Sequence, residues 1–288
     1  GKIALIGKNG KDALQAFRTV LRDQPELSHV QHLLGQAYIM TGELALARDS
    51  FERAVALRPD AMASGLALAT LEIQSGRVPR ARARLLEIFK AHPDYLPALE
   101  QLFALDLSTG EWSHAKIVLD LLRQAMGDNP AILIAEGRMY EAQGDYAKAA
   151  GTFERAASMA PAAADPLMAL VRIDLAQKQP DRARRRLESV VALHPAHPYA
   201  HGLLAEVWSI LGRRDVAAMQ YREATRLNPT WVTPWLNWAS LLQAQQPDHA
   251  IRILKEGLAA NTSSEELHML FASVLANQGL IDEAIGAY

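Results

Sequence analysis

A 34-residue spacing that recurs along the whole chain restricts its fold more than any other feature of the sequence. With a single one-residue slip late in the chain, alanine returns at this spacing at Ala13, Ala47, Ala81, Ala115, Ala149, Ala183, Ala217, Ala250 and Ala284. A large apolar residue follows four positions after each alanine, and prolines recur in the same frame at Pro25, Pro59, Pro93, Pro161, Pro195 and Pro229. Several residue types in one frame indicate a chain built of stacked structural repeats.

Each repeat is predicted to form two helices joined by a tight turn. In residues 28–61, apolar residues recur at three- and four-residue steps up to Gly42, a pattern typical of an amphipathic helix. Glycine at that place suits a left-handed helix end, after which the second helix begins. Gly35 and Ala47 would let the two helices approach closely, and Phe51 would fill the neighbouring gap. One such pair cannot bury its apolar faces alone, so neighbouring repeats must stack.

Residues on both helices of the repeat follow one order, which is Gly and then Tyr on the first helix and Ala, Phe, Ala and Pro on the second. This order is found at Gly35, Tyr38, Ala47, Phe51, Ala54 and Pro59, with Leu34 before the glycine, and again at Gly137, Tyr140, Ala149, Phe153, Ala156 and Pro161. The order resembles that of the tetratricopeptide repeat family. The resemblance implies an all-α fold, an α-solenoid of antiparallel helix pairs in a right-handed superhelix. It also implies an inner groove, lined by the first helices, that binds protein segments.

The whole chain is predicted to be one solenoid fragment. Its parts are a partial repeat, seven repeats and a truncated repeat, at residues 1–27, 28–61, 62–95, 96–129, 130–163, 164–197, 198–231, 232–264 and 265–288. Gly127 takes the place of the proline that closes other repeats. Pro130 is expected to begin the next first helix, a position where proline is tolerated. The turn before Pro247 is one residue short. Because neither end shows a polar cap, we expect a piece of a longer array whose ends would allow self-association.

The family's geometry places particular positions of each first helix on the inner groove. The predicted partner-binding residues are His32, Gln36, Ile39, Met40, Leu66, Thr70, Ile73, Leu107, Ile134, Arg138, Glu141, Met168, Arg172, Leu175, Glu206 and Leu236. The set is mixed, with an apolar tendency and flexible methionines. Such a surface suits an amphipathic helix or an extended peptide of a partner protein.

Two arginines in this set occupy equivalent positions in adjacent repeats. Arg138 and Arg172 would form an anion-binding spot for an acidic partner segment if they lay side by side. The alternative, which we favour from the sequence, is that Glu141 and Glu206 neutralise them within the array, because exposed ion pairs are common and nearly neutral in energy.

Other charged and aromatic clusters are predicted to be structural or solvated. The arginines of "RVPRARAR" (77–84) and "DRARRRLE" (181–188) lie on second helices, and most should point to the outer surface. Trp235 and Trp238 fall on core positions of a first helix. Trp231 lies in the preceding turn and should be the freest of the three, available to anchor a partner.

Three histidines, His194, His197 and His201, fall close together in "LHPAHPYAHGLL" and raise the hypothesis of a metal site. The closing Pro195 and the helix-starting Pro198 instead indicate a seam between repeats. No carboxylate lies beside the histidines in sequence to orient a ligand imidazole.

Composition and motifs exclude most catalytic classes. The chain has no cysteine, and its formal net charge is −2 with 30 basic and 32 acidic residues, which does not favour nucleic-acid binding. No HExxH, GxSxG or dinucleotide motif is present, and no apolar run is long enough to insert into a membrane. We therefore expect no cofactor, no metal and no catalytic residue. These features do not fix the compartment, which stays open between a bacterial cytoplasm and periplasm.

The sequence thus predicts a non-catalytic scaffold that binds peptide or helical segments of partner proteins. Its alanine- and arginine-rich repeats are similar in style to those of bacterial exopolysaccharide-export and exosortase-associated proteins, so assembly of such a complex is the first interpretation. The alternative is the repeat region of a larger enzyme, a glycosyltransferase or sulfotransferase, with its catalytic domain elsewhere.

Overall fold

A computed structural model describes Leu5, Gly7 and residues 9–287, and this part of the chain is all-helical. It contains seventeen helices and no strand. The chain divides into two compact units, Gly1–Gly144 and Asp145–Tyr288. The all-α prediction and the helix-pair architecture are confirmed.

Unit 1 contains α1 to α8, which alternate between second and first helices of successive repeats. They are α1 (Gly10–Asp23), α2 (Ser28–Met40), α3 (Leu44–Leu57), α4 (Met62–Gln74), α5 (Val78–Ala91), α6 (Leu96–Thr109), α7 (Trp112–Met126) and α8 (Pro130–Ala142). Here the even-numbered helices are the first helices of their repeats.

Unit 2 contains α9 to α17 in the same alternation. They are α9 (Tyr146–Met159), α10 (Ala164–Ala176), α11 (Pro180–Leu193), α12 (Pro198–Ile210), α13 (Arg214–Leu227), α14 (Val232–Leu242), α15 (Pro247–Ala260), α16 (Glu265–Asn277) and α17 (Ile281–Gly286). The even-numbered helices are again the first helices. The boundary between the two units falls between α8 and α9, inside the predicted repeat 130–163. The repeat boundaries given above stay predictions.

The core of a repeat depends on a glycine that faces a phenylalanine. Ala47 and Phe51 on α3 are both fully buried. A Cβ atom added to Gly35 of α2 would lie 2.6 Å from the Phe51 ring, which is too short for a contact between non-bonded carbon atoms. The close approach predicted for Gly35 is thus observed, and the Phe51 ring fills the space that the missing side chain leaves.

Turns between the two helices of a repeat use residues with positive φ. These are Gly42, Gly76, Gly110, Gly144, Gly212 and Gly279, with φ between 71° and 79°. In the repeat 164–197 the same place is held by Lys178, with φ 57°, the one non-glycine residue with positive φ in the described part of the chain. At positive φ a Cβ atom lies too close to the following carbonyl oxygen, so the turn at Lys178 is strained where the glycine turns are not.

Replacing Lys178 with glycine is expected to stabilise the protein by about 1 kcal/mol, because glycine adopts positive φ without a Cβ clash. Urea unfolding followed by circular dichroism measures the change, and Gly212→Ala, which creates the opposite situation, should destabilise by a similar amount. A Lys178→Gly protein no more stable than the parent would contradict the assignment of strain to this turn.

One of the two predicted departures from the repeat is observed as predicted, and the other lies in a different element. Pro130 is the first residue of α8, and Gly127 has φ 72° at the end of α7. In the repeat 232–264, α14 is 11 residues long where most first helices have 13, and four residues, 243–246, lead to Pro247, where most turns have three. The residue that this repeat lacks is therefore removed from the first helix and not, as predicted, from the turn, and α15 keeps the usual 14 residues.

Within the described residues, no helix combines the length and apolar character needed to cross a bilayer.

Candidate partner-binding surfaces

The first-helix face is the surface formed in each unit by the sixteen residues predicted to bind a partner. None of the sixteen is buried. Three large apolar side chains on this face are notably open to solvent, since Ile39 is 43% exposed, Met40 is 40% exposed and Met168 is 36% exposed. Whether a partner binds here stays a prediction, but more than a third of the surface of each of these apolar side chains is exposed to solvent.

In unit 1, polar side chains on this face link consecutive first helices. His32 Nδ1 lies 2.9 Å from Ser64 Oγ. Gln101 donates to the Thr70 hydroxyl at 2.6 Å. Burial lowers the pKa of His32, so its imidazole is neutral near pH 7. A cleft of about 420 Å³ opens beside this histidine and is bordered by Tyr95 of the next repeat.

In unit 2 the corresponding link is made by a carboxylate. Asn237 donates to Glu206 Oε1 at 3.1 Å, and burial raises the pKa of this glutamate. The pair occupies the same two repeat positions as Gln101 and Thr70. Apolar residues complete the face around it, with Leu175 and Leu236 both partly buried.

The two arginines of the predicted anion spot lie in different compact units, Arg138 in unit 1 and Arg172 in unit 2. Both are exposed, and both interact with other groups of the protein. Their pairing around an acidic segment and their neutralisation by Glu141 and Glu206 both stay predictions.

Two of the three clustered histidines, His197 and His201, are buried in the seam between repeats. His201 is buried, with Nδ1 2.7 Å from Gln220 Oε1 and Nε2 2.9 Å from the Pro195 carbonyl oxygen. His197 caps α12 by accepting from the Ala200 backbone N–H at 3.2 Å, and burial lowers its pKa. His194 lies at the surface. In the described chain, no three His, Cys, Asp or Glu side chains are grouped as metal ligands.

The fourth position of the repeat explains why a histidine is found at residue 201. Trp235, at the same position of the next repeat, donates its indole N–H to the Pro229 carbonyl at 2.9 Å. His268, one repeat further on, places Nε2 3.1 Å from the Thr262 carbonyl oxygen. In all three repeats a ring nitrogen contacts the backbone carbonyl six residues earlier and so ties the loop to the helix. Comparing the fourth positions in the sequence would have shown this role.

Trp231 is the least buried of the three tryptophans, as the sequence predicted, but its ring also packs against other residues of the protein. It is partly buried, and a Cβ atom added to Gly202 would lie 2.5 Å from its ring. Its ring centroid lies 4.7 Å from that of Tyr199. Gly202 therefore leaves a space on α12 that Trp231 fills, and the tryptophan supports the packing of two repeats. Trp235 and Trp238 lie in the core as predicted, each 7% exposed.

The prediction that the clustered arginines form a solvated outer face is wrong for several of them. Arg84 makes two hydrogen bonds to the carboxylate of Glu72, at 2.9 and 3.1 Å. Arg182 and Arg186 both contact Asp174, at 3.2 and 3.0 Å, and that carboxylate is 1% exposed. These second-helix arginines neutralise acids that would otherwise be buried without a partner, which is costly.

These acids share the eleventh position of the repeat, which the family pattern fills with tyrosine. Asp106 at this position is fully buried and forms an ion pair with Arg82 of the preceding repeat. Trp208 at this position lies under the guanidinium of Arg184, 5.4 Å from the ring centroid. The sequence signal was available, because acidic residues replace the expected tyrosine in the repeats that carry the arginine clusters.

Comparison with known proteins supports the repeat assignment. Two family models, each described as tetratricopeptide repeat, match residues 8–61 and 140–207. Superkiller complex protein 3 of Mus musculus is 30% identical over 119 residues, which is 40% of this chain and 8% of that protein. The chain therefore spans only a small part of this curated relative.

Two solved structures share the fold. The crystal structure of a tetratricopeptide repeat protein from Parabacteroides merdae is similar with a TM-score of 0.59 and 13% identity, over 89% of this chain and 95% of that one. Yeast Tom70 is similar with a TM-score of 0.64 and 13% identity, over 96% of this chain and 62% of that one. At this identity the likeness concerns the fold alone.

Proposed function

The chain is built of tetratricopeptide repeats, a scaffold suited to protein–protein interaction, and from this premise we propose that its first-helix face binds helical or extended segments of partner proteins. The observation that carries the proposal is the exposure of Ile39, Met40 and Met168 beside polar groups on that face. Exposed apolar side chains with polar neighbours are the usual composition of a peptide-binding surface. Methionine adds adaptability, because its unbranched side chain repacks around different partners.

The finer form of the proposal is that the scaffold assembles a bacterial complex such as a polysaccharide export or secretion system. Its support is the alanine- and arginine-rich composition of the repeats. The alternative, that the repeats are part of a larger glycosyltransferase or sulfotransferase, is distinguished by the full reading frame, which would encode the catalytic domain.

A matched pair of variants tests the first-helix face. Ile39→Asp/Met40→Asp on α2 should reduce partner capture from extracts of the protein's own organism at least tenfold, because a buried interface contact is worth about 2 kcal/mol. Leu44→Asp/Leu46→Asp on α3 is the control, since these leucines are 47% and 40% exposed on a second helix. Capture is quantified by mass spectrometry against the unmodified protein.

Melting temperatures of both variants should stay close to that of the parent, because all four replaced side chains are exposed. Equal losses of capture in the two variants would show that the first-helix face has no special role, and retention by both would show that partners bind elsewhere.

A further inference from the structure

Second-helix arginines in several repeat interfaces have an acceptor at the eleventh position of a first helix. In unit 1, Arg18 of α1 donates to the Tyr38 hydroxyl at 2.9 Å, and Arg84 of α5 binds Glu72. In unit 2, Asp174 accepts from arginines of α11. In these interfaces the second-helix arginines are thus paired with a carboxylate or with a tyrosine hydroxyl.

The interface between α13 and α15 lacks this acceptor. Leu242 occupies the eleventh position of the repeat 232–264, and its side chain accepts no hydrogen bond. Arg222 follows Arg18 by six 34-residue periods, so the two arginines hold the same position in their repeats. Arg222 and Arg252 are exposed, and neither has an ion pair or a side-chain hydrogen bond among the described residues. Arg222 therefore lacks the hydrogen-bond partner that the equivalent Arg18 has, and Arg252 on the next second helix has no hydrogen bond or ion pair among the described residues either.

Both arginines line a cleft of about 750 Å³ between α13 and α15. Trp235 and Trp238 also line this cleft, and their rings stack with centroids 6.3 Å apart. The indole Nε1 of Trp238 has no hydrogen-bond partner although it is buried. The volume lies within the range of ligand-binding clefts, and the wall combines flat aromatic surface with cations.

Other charges around the cleft form no ion pair with these two arginines within 4 Å, although Glu223 interacts electrostatically with Arg222. Arg226 also lines the cleft and is held by Glu223 through two contacts, at 2.9 and 2.6 Å. Glu256 is the single acidic residue in the lining, and it forms no ion pair with either free arginine within 4 Å. His249 lies edge-on to Trp238, with ring centroids 6.0 Å apart.

We propose that this cleft binds an oxyanion, a carboxylate or phosphate, that is attached to a flat or apolar group. Arg222 and Arg252 bind the oxyanion through charge-assisted hydrogen bonds, a geometry that guanidinium groups favour. The attached group lies against Trp235 and Trp238. The site is lined by the second helices α13 and α15 and by the tryptophans of the first helix α14, and none of the sixteen residues of the first-helix face lines it, so it adds a ligand site to the scaffold.

Phenyl phosphate and benzoate are suitable probes, because each joins a ring to one of the two oxyanions. Titration followed by ¹⁵N NMR should shift the indole signals of Trp235 and Trp238 saturably and leave that of Trp112, which lies in unit 1, unchanged. Inorganic phosphate should bind at least tenfold more weakly than phenyl phosphate, because it makes no contact with the rings. Comparing phenyl phosphate with benzoate distinguishes the two oxyanion sources.

Arg222→Met/Arg252→Met should weaken binding of the preferred probe at least tenfold. Arg185→Met/Arg214→Met removes the same charge from exposed second-helix positions and should leave the affinity within twofold. Both variants alter exposed side chains, so both should remain folded. The proposal is overturned if neither probe binds below about 10 mM, if inorganic phosphate binds equally well, or if the two variants lose affinity to the same extent.

Discussion

Replacing Phe51 with alanine is expected to lower the free energy of unfolding by about 4 kcal/mol. The Phe51 ring is fully buried and lies against Gly35, where no side chain is present to move into the cavity. Truncation therefore removes the buried ring and leaves its space unfilled. Because repeats are stabilised by their neighbours, the loss should also weaken the stacking of α3 on the repeats beside it.

Urea unfolding followed by circular dichroism would measure this loss, with Leu44→Ala as the control on the same helix. Leu44 is 47% exposed, so its truncation should change stability by less than about 0.5 kcal/mol. A loss below about 1 kcal/mol for Phe51→Ala would mean that the helices collapse into the cavity, and the rigid Gly35–Phe51 contact would then be wrong.

Arg82→Met is expected to destabilise unit 1 by about 3 kcal/mol, because it leaves the fully buried carboxylate of Asp106 without its ion-pair partner. The other carboxylate oxygen, Oδ2, has no hydrogen-bond partner, so only the weaker electrostatic interaction with His114 remains to favour the charged carboxylate. The effect should be much larger than that of removing an exposed arginine such as Arg185, which costs little.

The stability of Arg82→Met should also depend on pH in a defined direction. Burial raises the pKa of Asp106 above its ordinary value of 3.8, and loss of Arg82 removes the stronger of the two groups that oppose this rise, the other being His114. Because the folded-state pKa then exceeds the unfolded-state value, the variant loses stability as pH rises through the folded-state pKa and retains it below the unfolded-state value.

Adding Asp106→Asn to the Arg82→Met protein should restore most of the stability near pH 7 and abolish this pH dependence, since no buried charge remains. The two single variants and the double variant form a cycle that isolates the pair from other effects of each replacement. A double variant as unstable as Arg82→Met would show that the arginine acts through packing of its alkyl chain.

The helix pairs were predictable because their signals are local. Gly42 forms a turn through its own backbone conformation. Gly35 and Phe51 lie on the two helices of one repeat, which that turn connects. The frame of Ala47 and its equivalents repeats these local signals along the chain, so one repeat predicts the next. Each of these signals can be recognised within a single repeat, without information about its neighbours.

Pairings between repeats were not predictable in the same way. Arg82 and Asp106 are 24 residues apart, and Gly202 and Trp231 are 29 apart, so which face of a helix meets which loop must be known first. The sequence shows that a cation or a ring is present, but it does not show what lies opposite. The first-helix face remains a prediction from family geometry, because a partner would have to be present to define it.

The early end of α14 at Leu242 has a consequence for how this array can evolve. The repeat is one residue short, and yet Ala250 and Leu254 of α15 are fully buried, like their equivalents elsewhere. A deletion in the middle of a helix would instead rotate every later side chain by about 100°, which would move apolar positions to the surface. The carboxyl end of a first helix, next to its turn, is therefore a place where a single-codon deletion is tolerated, because the turn restores the orientation of the helix that follows.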